Sequence, residues 1–248
     1  MLKIPPPAVE GTGYVPDFLE PEEHKYLLDI YNNMEWGKIH SFKLSSKRLD
    51  MDVVKKHTGI EERLRKHFKN FEIVAVNMYQ ANKQHNLHVD LGKFSKDHDP
   101  MKCGYDFVIP LLIEGNGTQE ELLSDQVMTT FNQYYPYGPF KFVPGSWDEK
   151  TKTVRPELSK SFSNIPFSLE RVKKEVWNWA EGVWPDEVWP KYMDMYPREM
   201  LEGFTVENII PWRIGHCIAL QRTQIHSASR FRKKVTKKVG LQILCYHV

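Results

Sequence analysis

Hydrophobic and polar positions alternate along this chain in two rhythms. Near the front the rhythm is helical: Pro21 suits a first helical turn, and Leu27, Leu28, Tyr31 and Met34 recur at the spacing of one helix face, with Gly37 as the expected stop. A second helix is expected over 58–68, with Ile60, Leu64 and Phe68 on one side and charged residues opposite. From residue 71 the rhythm shortens. Runs rich in β-branched and aromatic residues predict strands over 71–80, 87–91, 105–113 and 126–135, the last two joined by the turn-like Gly115-Asn116-Gly117. The pattern loosens over 137–204, which holds many prolines, five of the seven tryptophans, and a helix predicted from about Ser168 with Leu169, Val172, Val176 and Trp179 inward. Strands resume over 206–210, 217–222 and 238–247. No fixed-period repeat interrupts this order. Many short strands, with helices gathered in front and in one interruption, predict an α+β chain, a sandwich or barrel with helical cover. Residues 1–248 then form one domain, with 137–204 as an insertion or lid.

Composition narrows the chemistry. Hydrophobic residues at 41% and aromatics at 12% suffice for a packed core in 248 residues. The 34 Lys+Arg stand against 32 Asp+Glu, so the net +2 offers no general basic excess for neutralising phosphates, and nucleic acid is not the expected partner. Three cysteines can build neither a disulfide framework nor a paired zinc spacing, and ten histidines turn metal chemistry toward nitrogen and oxygen ligands. No apolar run follows Met1-Leu2-Lys3-Ile4-Pro5, and no window nears the ~18 apolar residues of a membrane span. The expectation is a cytoplasmic protein (a host cell's cytoplasm if the gene is viral) with no membrane partner.

The sharpest local signal is His88-Val89-Asp90. On a strand, residues two apart project to the same side, so an imidazole and a carboxylate converge. That is two-thirds of the two-histidine, one-carboxylate facial triad that holds non-haem iron with open positions. Taken alone, it reads first as a surface or mutually satisfied pair. Other residues add to it. Asn77-Met78-Tyr79 repeats the two-residue spacing upstream, and His226 lies in Ile225-His226-Ser227-Ala228-Ser229 after the apolar run 217–220. Lys238 opens a strand on which Lys238, Gly240 and Gln242 share one face, while Val239, Leu241, Ile243 and Cys245 share the other. A lysine beside glycine and glutamine has room and polarity around it, which suits a cavity-facing cation that binds a carboxylate. His226 by itself reads also as a satisfied core histidine, and His216, a competing third ligand, follows Gly215 at an expected turn. His85 reads as a solvated loop histidine or as an accessory to the site. The basic run from Arg230 to Lys238 reads as a solvated loop plus one inward lysine.

This set resembles the Fe(II)/2-oxoglutarate-dependent oxygenases, whose pattern is H-x-D, a distal His, then Arg or Lys on a double-stranded β-helix. The resemblance covers most of the chain. Residues 13–23 look like the segment leading into the N-terminal helix of the prolyl-hydroxylase-like branch. Residues 105–112 with 127–133 look like the core strands after H-x-D, and 212–215, 217–220 and 226–229 are similar to the turn, strand and distal-histidine stretch. The resemblance implies a jelly-roll, cupin-like barrel with N-terminal covering helices and a long, partly helical insertion. It implies His88, Asp90 and His226 as catalytic iron ligands, Lys238 paired with the distal carboxylate of 2-oxoglutarate, and Tyr79 with Asn77 as hydrogen-bonding partners of that cosubstrate. The implied cofactors are Fe(II), 2-oxoglutarate and O2, with ascorbate as an accessory reductant. The implied reaction is hydroxylation of a small molecule or a protein side chain, with release of succinate and CO2. An aspartate at position 90 leaves no vacancy for chloride, so halogenation is not implied.

Two departures stand out. The two histidines are further apart than in the family's usual core, so 137–204 must loop out, and lysine replaces the commoner arginine amid Arg230, Arg232, Lys233, Lys234 and Lys237. The N-x-Y…H-x-D spacing is also similar to that of the AlkB-type nucleic-acid demethylases, but those carry a second arginine where Leu244 stands. Two further readings use the same residues. One is a jelly-roll binding module without turnover; the other is a cupin-like metalloenzyme that makes no use of 2-oxoglutarate, in which Lys238 is dispensable.

Overall fold

The computed structural model describes residues 13–36, 44–85, 87–91, 102–135, 147–148, 150, 153–154, 176, 189–231 and 234–248. In chain order its elements are β1 (Gly13–Val15), α1 (Pro21–Asn33), β2 (Leu44–Leu49), α2 (Asp52–Lys55), α3 (Ile60–His67), β3 (Phe71–Ala81), β4 (Cys103–Gly115), α4 (Gln119–Leu123) and β5 (Val127–Tyr134). They continue with β6 (Trp147–Asp148), β7 (Thr153–Val154), a π-helical turn (Trp189–Met193), a 3-10 turn (Arg198–Leu201), β8 (Val206–Pro211), β9 (Cys217–Gln221), β10 (Gln224–Ala228) and β11 (Val235–His247). Strands pair antiparallel into a six-stranded sheet, ordered β1-β9-β4-β11-β3-β2, and a three-stranded sheet, ordered β10-β5-β8. The two short strands β6 and β7 pair with each other.

Period-two alternation explains the layering. Val239, Leu241, Ile243 and Cys245 of β11 lie with Tyr105, Phe107, Ile109 and Leu111 of β4 against Leu27 and Tyr31 of α1 and Ile60 and Leu64 of α3. The opposite face of the large sheet, through Val108, Ile218 and Leu220, meets Met128 and Ile210 of the small sheet together with Trp212. The order is therefore helices, large sheet, small sheet. One bulge adjusts the pattern. The register between β11 and β4 slips between Val239 and Gly240, leaving Leu111 as the extra residue. Beyond it the faces exchange, so Leu112 packs on the helical side and Ile113 points into the sandwich.

The helical cover is fastened by one carboxylate. Glu23 accepts the Glu20 amide at 3.0 Å and the Gly59 amide at 2.6 Å, and it pairs with Arg63. It thus closes the capping box of α1 and holds the start of α3.

Several sequence expectations change. Residues 87–91 form no strand; His88 makes one isolated antiparallel bridge to His226, because the neighbouring amides take partners outside any sheet. Strands β4 and β5 lie in different sheets with α4 between them, so Gly115–Gly117 is no hairpin turn. The helix expected over 58–68 is shorter, with Gly59 as its N-cap residue, and the sequence pattern predicts none of β1, β2, α2, α4, β6, β7 and β10. The helix expected from Ser168 and the stop at Gly37 lie outside the described residues, as does most of 137–204. No helix among the described residues is long and apolar enough to cross a membrane.

Candidate metal centre

His88 and Asp90 sit on the short segment that alternates sharply between two surroundings. Leu87, Val89 and Leu91 turn into an apolar cluster with Ile225, Phe131 and Tyr196, while His88 and Asp90 turn into a cleft between the sheets. His226 comes from β10 on the small sheet. The bridge sets the two histidines in register: the His88 amide donates to the His226 carbonyl at 2.9 Å, and the His226 amide to the His88 carbonyl at 3.0 Å. Three side chains then converge, each offering a ligand atom within 4.8 Å of the others. His226 Nε2 lies 2.9 Å and His88 Nε2 3.4 Å from the Asp90 carboxylate oxygens.

The surroundings fix how these groups present themselves. His226 Nδ1 donates to the Gln224 carbonyl at 2.9 Å, which fixes the ring and turns Nε2, the nitrogen left for a metal, toward Asp90. Burial alone would raise the Asp90 carboxyl, but the adjacent imidazoles of His226 and His88 outweigh it and hold Asp90 well below the usual carboxylate range. Burial would lower His226, and Asp90 reverses that, raising it. The Asp90 backbone is held at both ends by Arg222, whose carbonyl accepts the Asp90 amide at 2.9 Å and whose Nε donates to the Asp90 carbonyl at 3.2 Å. Asp106 approaches Asp90 from β4 and accepts from Gln242 Nε2 at 2.6 Å. Burial, and then the charge of Asp90, raise Asp106 well above the usual carboxylate range, which favours its protonated form.

A cation waits at the other end of the cleft. Lys238 is 3% exposed, and its Nζ has no hydrogen-bond partner among the described residues. It lies 4.8 Å from the Trp212 ring centroid and 5.1 Å from that of Phe231, and burial lowers its pKa to about 7. Tyr79 lines the same cleft; burial raises its phenol, and Trp212 hydrogen-bonds its hydroxyl. Because the indole can only donate, the Tyr79 proton is free to be offered elsewhere. Gly240 is what lets the ring lie there, since a Cβ at this position would stand 2.5 Å from the Tyr79 hydroxyl.

His88, Asp90, His226, Tyr79 and Lys238 thus line one cleft, with Gln242 on the same face of β11 as Lys238. Asn77 does not line it: it is in register with Gln242 and Arg48, one pair further along β3. His85 lines the cleft rather than a solvated loop, its ring 3.8 Å from that of His88. His216 is elsewhere, bonded to Tyr14 at 2.5 Å and beside Asp17 at 3.4 Å. Of the basic run, Arg230 faces Asp194, Lys234 faces Glu121 and Lys237 faces Glu114, while Arg232 and Lys233 lie outside the described residues. Asp106, Trp212 and Phe231 were not singled out from sequence. A lone aspartate inside the apolar run of β4 was a readable signal; Phe231, amid cations, gave none.

No protein-family model matches the chain, and no curated protein matches it in sequence. Among solved structures it is similar to HygX from Streptomyces hygroscopicus with nickel and 2-oxoglutarate bound, at TM-score 0.48 and 11% identity over 96% of this chain and 82% of that one. It is similar to the epimerase SnoN in complex with Fe3+, alpha ketoglutarate and nogalamycin RO, at TM-score 0.45 and 15% identity over 96% of this chain and 79% of that one. It is also similar to a Pseudomonas putida prolyl-4-hydroxylase, at TM-score 0.43 and 8% identity over 96% and 93%. At these scores the likeness is one of chain path, and the chemistry has to be read from this chain's own side chains.

Proposed function

We propose that this chain is an Fe(II)- and 2-oxoglutarate-dependent oxygenase on a double-stranded β-helix, hydroxylating a small molecule or a protein side chain. One observation carries the reading: two imidazoles and a carboxylate share a buried cleft with a lysine whose Nζ has no hydrogen-bond partner among the described residues. The donor set fits the metal. His88, Asp90 and His226 are the two-nitrogen, one-carboxylate set that leaves positions open on iron. The orphaned cation fits the oxo acid. A buried ammonium without a partner is costly, and a carboxylate beside it removes that cost.

Iron(II) with the bound oxo acid would supply the activation of O2, which oxidises a substrate C–H bond as 2-oxoglutarate is cleaved to succinate and CO2. The chain's own residues do the rest. Lys238 and the Tyr79 hydroxyl would hold the distal carboxylate, with Trp212 fixing the direction of the Tyr79 proton. Neutral Asp106 orients the Asp90 carboxylate, and Arg222 anchors its backbone. Val108, Met128, Ala228 and Phe231 line the cleft with apolar surface and keep water out. The buried thiols Cys103, Cys217 and Cys245, none in a disulfide, suit the reducing cytoplasm.

Anaerobic addition of Fe(II) and then 2-oxoglutarate should produce a visible metal-to-ligand charge-transfer band, and O2 should then release succinate. His88→Ala should abolish both. A folded, metal-loaded protein that shows no band refutes the reading. If turnover survives Lys238→Ala undiminished, the chain is a metalloenzyme of another kind; a band without any succinate would mark a binding module.

A further inference from the structure

We propose that Tyr196, at the C-terminal end of the segment joining β7 to β8, is a positioning residue that clamps the two histidine-bearing segments together and so sets the metal affinity of the site. This rests on reading His88, Asp90 and His226 as a metal centre.

The segment carrying His88 has little sheet structure to hold it. Apart from the single bridge, its buried amides must find acceptors elsewhere. The Asp90 amide goes to Arg222. The Leu87 amide goes to the hydroxyl of Tyr196, a side chain more than a hundred positions away. Tyr196 is 1% exposed, and burial raises its phenol, so it keeps its proton and must also donate. Its other partner is Ser227 Oγ at 3.1 Å. With the Tyr196 proton directed to it, Ser227 Oγ turns its own proton toward the carbonyls of Ala228 at 3.3 Å and His85 at 3.4 Å.

One phenolic oxygen therefore joins the residue just before His88 to the residue just after His226, directly beside the bridge between them. The ring is itself pinned. The Tyr196 amide donates to the Met193 carbonyl at 3.0 Å, and the Tyr196 carbonyl accepts from Trp189 Nε1 at 3.0 Å. Packing against Leu87, Ile225 and Met193 fixes its plane. Removing only the oxygen leaves a buried amide on the residue next to a ligand without an acceptor, and removes the side-chain link between the two ligand-bearing segments.

The test is Co(II) binding to the full-length chain, read by chelator competition and by the ligand-field absorption of the bound ion. Tyr196→Phe should bind Co(II) about 10- to 100-fold more weakly than wild type, with altered band positions and unchanged far-UV circular dichroism. Ser227→Ala, which keeps the acceptor for Leu87 and breaks the other half of the clamp, should weaken binding in the same direction by less. Trp189→Phe removes an outer anchor without touching the hydroxyl, and should lower the melting temperature with Co(II) affinity and spectrum unchanged. Wild-type affinity and spectrum in Tyr196→Phe overturn the clamp. If that variant does not fold, wild-type behaviour in Ser227→Ala overturns it instead. A wild-type chain that takes up no Co(II) overturns the metal reading itself, which is a separate result.

Discussion

Replacing Lys238 by methionine should make the protein more stable while removing the proposed hold on 2-oxoglutarate. Burial brings the Lys238 ammonium from its ordinary 10.5 down to about 7. At about 1.4 kcal/mol per unit, that is a penalty of about 5 kcal/mol relative to a solvated lysine. The rings of Trp212 and Phe231 offset on the order of 1–2 kcal/mol when the group is charged. Methionine keeps the length of the stem, packs its sulfur on the same rings and needs no counterion. The expected gain is about 3 kcal/mol at neutral pH, read as a higher urea midpoint at unchanged m-value.

The pH dependence makes this prediction specific. Between pH 7 and 10.5 the unfolded chain holds the lysine proton and the folded chain does not. Wild-type stability therefore rises with pH relative to Lys238→Met, by about 1.4 kcal/mol per unit, and the variant's advantage shrinks across that window. Below about pH 7 both states of the wild type hold the proton, and the advantage is constant. Calorimetric titration should show the complementary trend. Wild-type affinity for 2-oxoglutarate should fall about tenfold per unit above pH 7, as the neutral amine takes over, and the variant should bind about 100-fold more weakly than wild type at neutral pH. An advantage absent at pH 7, or one that does not shrink toward pH 9, would refute the placement of an uncompensated ammonium at this position.

Metal uptake should stabilise the fold. Co(II) at about a hundred times its dissociation constant adds about 2.7 kcal/mol, visible as a rise in melting temperature that His226→Ala abolishes; equal shifts in both proteins would exclude His226 as a ligand. Gly240→Ala places a Cβ 2.5 Å from the Tyr79 hydroxyl, so it should cost about 1–3 kcal/mol and weaken 2-oxoglutarate binding without changing Co(II) affinity. Glu23→Ala removes the acceptor shared by the Glu20 and Gly59 amides and by Arg63, and should lower stability by about 2 kcal/mol, measured by urea unfolding, again with Co(II) affinity unchanged. A changed affinity there would mean that the helical cover bears on the site.

What could be read from the sequence was what a local repeat encodes. Strand β11 divides its residues cleanly because its two faces meet different surroundings: Val239, Leu241, Ile243 and Cys245 meet helices, whereas Lys238 and Gln242 line the cleft that holds His88, Asp90 and His226. The helices α1 and α3 were readable for the same reason, having one buried stripe each. Strand β10 was not, because the first four of its residues are buried and no alternation survives. Strand β2 failed oppositely, as an edge strand whose serines and basic residues stay largely in contact with solvent. At His88-Val89-Asp90 the side chains alternate as on a strand, which is what the two-residue spacing encodes, but the backbone bonds go to Tyr196, His226 and Arg222.

These scattered backbone bonds account for the way the site is built. The three candidate ligands and the lysine come from different layers: His226 from the small sheet, Lys238 and Tyr79 from the large one, His88 and Asp90 from a segment belonging to neither. Pairing along a neighbouring strand would have fixed the H-x-D segment at every second residue. Instead its amides are tied at single points, by a bridge to the partner histidine, by a buried arginine and by a tyrosine from a remote segment. The candidate ligands are thereby placed beside the cleft without a continuous strand along it. Such point attachments have no periodicity, so they leave no trace in the pattern of hydrophobic and polar residues, and only the folded chain can reveal them.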